Sequence, residues 1–104
     1  MFKIIATFLD GMCGPEIYQD GVVDLKMHPK AFKTKEEAMA FIENDEVQRA
    51  KEAAMYESGA TSEEVHADYS FDGKQAYIDV TVDMPNPIPS QYVGRYIYKV
   101  VEIH

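Results

Sequence analysis

Along the opening run FKIIATFL, apolar Phe2, Ile4, Ala6 and Phe8 alternate with Lys3, Ile5, Thr7 and Leu9. A period of two predicts a β-strand, and the aliphatic members of the second set predict that this face too is partly covered. Val22 to His28 repeats the alternation, with Val23, Leu25 and Met27 on one side and Asp24, Lys26 and His28 on the other. Pro29 is expected to end that strand, because proline cannot donate to a ladder. The period then changes. In FKTKEEAMAFIE, Thr34 followed three residues later by Glu37 forms a capping-box pattern, and Ala38, Phe41 and Ile42 fall on one helical face. Beyond ENDE the apolar phase slips to Val47, Ala50 and Ala54, and Gly59 suits the residue just past a helix end. One helix from Lys35 to Ser58 would be about 36 Å long at 1.5 Å per residue. The phase slip favours a bend near Asn44, or a second helix capped there.

The next run, EEVHADYSFDGKQAYIDVTVDM, is two alternating segments joined by Asp72-Gly73, a pair favoured in type I′ hairpin turns. A two-residue turn at that point sets Tyr69 opposite Ala76, Ala67 opposite Ile78 and Val65 opposite Val80, all on one side. The other side then pairs Asp68 with Tyr77 and His66 with Asp79. MPNPIPSQ is a stiff, extended connector. The chain closes on YVGRYIYKVVEI, aromatic and β-branched throughout, as expected of another strand in the same sheet. This order predicts a single α+β domain over residues 1–104. It has a mostly antiparallel sheet of four to five strands, with one bent helix or a helix pair packed on one face.

Composition agrees with a packed globule: 104 residues, 46% hydrophobic, with twelve Phe and Tyr. One cysteine permits no internal disulfide, which favours a reducing compartment. The first apolar run spans only Ile4 to Leu9, and no later run approaches a membrane span. A soluble cytoplasmic protein is the expectation. The charge of −8 is unevenly spread: residues 36–83 carry thirteen acids and three bases, whereas each flank is slightly basic. That distribution opposes direct binding to a nucleic-acid backbone and suits a partner that is itself basic.

Candidate chemistry is sparse. Cys13-Gly14-Pro15 resembles the first three positions of the thioredoxin active-site tetrapeptide, but Glu16 stands where the resolving cysteine would be. EIYQDGVVD carries a glycine and β-type spacing in place of the helix that would activate the thiol, so a turn between strands is the expected role. No two histidines, nor any histidine and the cysteine, have metal-ligand spacing, and no phosphate loop or dinucleotide fingerprint is present. No cofactor, metal or catalytic set is therefore expected. Among the acids, Asp68, Asp79 and Asp83 share the outer hairpin face, with Glu64 and Asp72 at its margins. On the helical segment Glu36 groups with Glu43, Asp45 with Glu52, and Glu46 with Glu57. Tyr96 and Tyr98 share one face of the last strand, to which unbroken alternation adds Tyr92, and Arg95 and Lys99 flank them. GRYIYKV resembles the aromatic strand motif of RNA-recognition domains, a reading the acidity opposes.

These features point to a non-enzymatic protein-binding module, a regulator or inhibitor engaging a basic protein surface through Glu64, His66, Asp68, Tyr77, Asp79, Tyr92, Arg95, Tyr96 and Tyr98. In overall character the chain is similar to small acidic accessory proteins of bacteria and their phages, including inhibitors of restriction or CRISPR nucleases. The alternative is a self-associating homodimer built on the last strand. A third reading is an enzyme or small-ligand pocket formed at such an interface.

Overall fold

A computed structural model describes residues 1–10, 23–84 and 91–103, with the side chains of Asp10 and residues 23–27 left out. Cys13, Val22, His104 and most of the proline-rich connector lie outside the described residues. Five antiparallel strands, β1 (Phe2–Asp10), β2 (Val23–Phe32), β3 (Val65–Phe71), β4 (Ala76–Val82) and β5 (Gln91–Glu102), form one sheet in the order β2-β1-β5-β4-β3. The first and last strands thus pair at its centre, and a helical segment crosses one face to link the two edges.

That segment runs without a break from α1 (Lys35–Phe41) through a π-helical turn (Ile42–Glu46) into α2 (Val47–Ser58). Thr34 caps it, its Oγ1 accepting from the Glu37 amide at 3.1 Å, while Glu37 Oε2 accepts from the Lys33 amide at 3.3 Å. Gly59, at φ +72°, ends it in the left-handed conformation that glycine adopts without steric cost. Of the two expected alternatives, the single helix is found; a π turn around Asn44, in which the Val47 amide reaches back five residues to the Ile42 carbonyl, takes up the phase slip, and no second helix is capped there. The cause lies in the buried row Ala38, Ile42, Glu46, Ala50 and Ala54, spaced every four residues. On an ideal helix of 3.6 residues per turn such a row drifts by about 40° at each step. A turn holding more residues cancels part of that drift and keeps the row over the sheet.

Against this row pack Phe32, Ile4, Tyr98, Val65 and the alternate β4 residues Ala76, Ile78, Val80 and Val82, all nearly inaccessible. Burying an aliphatic side chain of this size contributes about 1.5–3 kcal/mol.

Two registers differ from expectation. The β3–β4 pairing is Phe71 with Ala76, Tyr69 with Ile78 and Val65 with Val82, so the two central turn residues are Gly73 and Lys74. Gly73 has φ +94°, and no other residue of the turn has positive φ. A type I′ turn at Asp72-Gly73 would require positive φ at Asp72 as well. Asp72 instead holds the turn with its carboxylate, Oδ1 accepting from the Lys74 and Gln75 amides at 2.8 and 2.7 Å. The pairing moves by two residues, so every side chain keeps its face. In the second case, β2 runs through Pro29 to Phe32. The β1–β2 register shifts between Lys3 and Ile5, where the residues around Pro29 bulge from an edge strand, and a missing donor does little harm there.

Candidate functional site

The hairpin and β5 place seven of the nine candidate residues on the sheet face away from the helix or at its margin. Asp79 lies between Asp68 on β3 and Arg95 on β5, directly opposite each. Facing carboxylates repel. Asp79 turns to Arg95, whose Nε and Nη2 donate to its two oxygens at 2.7 and 2.9 Å, a bidentate geometry. The Tyr92 hydroxyl donates to the same carboxylate at 2.8 Å. Burial first, and the Asp79 carboxylate second, push the Tyr92 phenol far above its ordinary value, so it stays protonated. Arg95 also lies 4.6 Å over the Tyr77 ring, whose hydroxyl donates to Asp72 Oδ2 at 2.5 Å. Burial aside, that bond and two turn amides lower the Asp72 carboxyl to about 2.

His66 faces Thr81 rather than Asp79, and its Nε2 lies 2.9 Å from Asp83 Oδ2. Glu64 Oε1 accepts from the Thr61 amide and hydroxyl, both at 2.9 Å, and the amide bond leads in lowering its pKa. Most of the expected hairpin acids are therefore occupied in holding the fold. Asp68 is exposed, and its carboxylate makes no hydrogen bond or ion pair among the described residues.

Tyr92 does not join Tyr96 and Tyr98. Val80 pairs with Gly94 and Thr81 with Tyr92, so β5 carries an extra residue at Val93, and the bulge turns Tyr92 to the opposite face. Tyr96 and Tyr98 lie beneath the helix, stacked with centroids 6.2 Å apart; Tyr98 is buried and Tyr96 half-buried. They form no exposed self-association surface.

The helix side holds what the sequence reading did not assemble. Glu46, 3% exposed, sits in the buried row, ion-paired to Arg49 Nε one turn on. Arg49 Nη2 donates to the Tyr98 hydroxyl at 3.4 Å, and the guanidinium lies 5.3 Å over the Tyr96 ring. Burial alone would lower the Arg49 pKa, but the Glu46 bond and charge outweigh it and raise it. Burial raises Tyr98 and Tyr96, keeping both phenols neutral.

Beside this group a cleft of about 430 Å³ opens between α2 and the sheet, walled by Phe8 and Tyr96 with His28 at its rim. His28 Nδ1 accepts from the Lys30 amide at 3.1 Å, which leaves the proton on Nε2. The signal in the sequence was the charged residue interrupting the row Ala38, Ile42, Ala50 and Ala54, with an arginine three residues later. The grouping of Glu46 with Glu57 holds, since both line the cleft.

Compared with protein-family models, curated proteins and solved structures, the chain matches none. No helix among the described residues is long and apolar enough to cross a membrane.

Proposed function

We propose that the protein is a non-catalytic binding module that engages a basic protein surface through the outward side of its helix, acting in the cytoplasm as a regulator or inhibitor. The observation that carries this reading is which carboxylates remain uncommitted. Asp72, Asp79, Asp83 and Glu46 each face a donor within the chain. Glu36, Glu43, Asp45, Glu57, Glu63 and Asp68 are exposed, and their carboxylates make no hydrogen bond or ion pair among the described residues. Four of these six lie on the helix, which carries seven acids against three bases. Among them stands Tyr56, 92% exposed, an aromatic of the kind enriched at binding hot spots. The lone cysteine supports the cytoplasmic placement.

The docking surface is therefore moved from the hairpin face to the helix. Reversing Asp79 would break the Arg95 and Tyr92 contacts and confuse loss of binding with loss of structure. Glu43→Lys with Asp45→Lys is the cleaner variant, because both positions are exposed and neither carboxylate has a partner among the described residues. The double change should abolish capture of the partner from host lysate at low salt while leaving the melting temperature within a few degrees of wild type. Capture undiminished in a folded variant would end this reading.

A second reading, self-association, rests on the face away from the helix. There Ile5, Ile97 and Val101 lie part-exposed on neighbouring central strands, without a described helix over them. Ile97→Asp should then convert a dimer to a monomer in light scattering. A wild-type mass of one chain would dismiss it.

A further inference from the structure

We propose that the cleft between α2 and the sheet is where the basic partner lodges one large apolar side chain, aromatic or long aliphatic, with a neighbouring lysine or arginine seated on Glu57. This rests on the protein-binding reading above and specifies what the partner must present.

The cleft exists because the residues around it are small. Ala6 on β1 and Ala50, Ala53 and Ala54 on α2 stop short of one another, where larger side chains would interdigitate and close the space. Val80 and Val93 complete an apolar lining, and its volume of about 430 Å³ lies in the range of clefts that hold a ligand group. Phe8 and Tyr96, with centroids 4.6 Å apart, give it an aromatic wall.

The charges at its mouth decide the flanking chemistry. Arg49 is committed on three sides, to Glu46, to the Tyr98 hydroxyl and to the Tyr96 ring. Glu46 is buried and neutralised by Arg49. Glu57 is exposed, lines the cleft and makes no hydrogen bond or ion pair among the described residues, though its charge reaches Tyr96 and helps raise that phenol's pKa. Among the described residues, the uncompensated charge at the mouth is therefore negative. An anionic segment is repelled there, and a cationic one is held beside its apolar anchor.

The test uses three N-acetylated tripeptide amides, Lys-Phe-Lys, Lys-Ala-Lys and Glu-Phe-Glu, titrated into the full chain and followed by amide chemical shifts. Lys-Phe-Lys should give saturable shifts centred on Ala53, Ala54, Val93 and Tyr96. The other two should bind about tenfold more weakly, one lacking the anchor and the other the complementary charge. Glu57→Gln should weaken Lys-Phe-Lys several-fold, and Ala53→Phe, which fills the space, should remove its binding. Should Ala53→Phe fail to fold, Glu57→Gln at its exposed position carries the comparison. Equal binding of Lys-Ala-Lys, shifts that map elsewhere, or no saturation would overturn the proposal. Failure of the broader reading looks different. Partner capture that survives in a folded Ala53→Phe variant removes only the cleft, whereas capture indifferent to the helix charge reversal removes the protein-binding reading itself.

Discussion

Glu46 is a carboxylate in a helical row that otherwise buries only aliphatic carbon, and its burial is tolerable because Arg49 is one turn away. Removing Arg49 alone would leave a desolvated charge with no counter-ion. Arg49→Met should therefore cost about 2 kcal/mol in chemical denaturation, below the full cost of breaking a buried pair because the guanidinium is half exposed. Glu46→Leu combined with Arg49→Met should recover most of that loss, since an apolar replacement of both partners leaves no uncompensated charge. A double variant no more stable than Arg49→Met would mean the pair contributes through something other than charge.

Asp72 offers a second test at this scale. Its folded-state pKa lies below the unfolded value, so the stability it contributes is present above the ordinary aspartate range and is lost as pH falls toward about 2. The Tyr77 hydroxyl is the leading cause, so Tyr77→Phe should move the Asp72 titration upward in a carboxyl-detected NMR experiment. An unmoved titration would assign the shift to the turn amides alone.

Among elements, the central strand β5 is least tolerant at Gly94. A Cβ there would meet the Leu9 carbonyl oxygen and the Phe8 ring, each at 2.6 Å, and the backbone oxygen cannot step aside cheaply. Gly94→Ala should destabilise by about 1–3 kcal/mol, measured by urea unfolding; a change under half that would show that β1 and β5 can separate locally. Alternation made the strands and their faces legible, because a period of two leaves one side for the core. The turn position in the β3–β4 hairpin was not legible from Asp72-Gly73 alone. The Asp72 side chain competes for the turn amides and shifts the central pair to Gly73-Lys74. The β5 bulge that turns Tyr92 toward Asp79 left no mark in the pattern, since an extra residue in one strand is visible only against its partner. The helix was visible, and its phase slip alone fits either a bend near Asn44 or a second helix starting there. A π turn absorbs the same slip while keeping the helix whole.

For the whole molecule, the acidic half of the chain was plain from composition, yet composition could not say which acids are committed. Asp79 and Asp83 gain partners only when β4, β5 and β3 come together, so these two hairpin acids are already engaged, by Arg95 and His66. The cleft was hidden for the same reason: its alanines come from strand and helix segments more than forty residues apart. Among the described residues, the acids that remain unpaired are mostly on the helix, and salt should act there. Binding should weaken steeply between low and physiological ionic strength, because exposed charges more than about 8–10 Å apart are screened over that range. Salt-insensitive binding would point instead to an apolar contact.

The most direct measurement is carbodiimide footprinting of the carboxylates, with and without the partner fraction captured from host lysate. Protection confined to Glu36, Glu43, Asp45 and Glu57, with Asp68 still labelled, is the predicted result. Protection centred on Asp68 and its neighbours on the hairpin, or none on the helix, would contradict the assignment of the helix as the binding side.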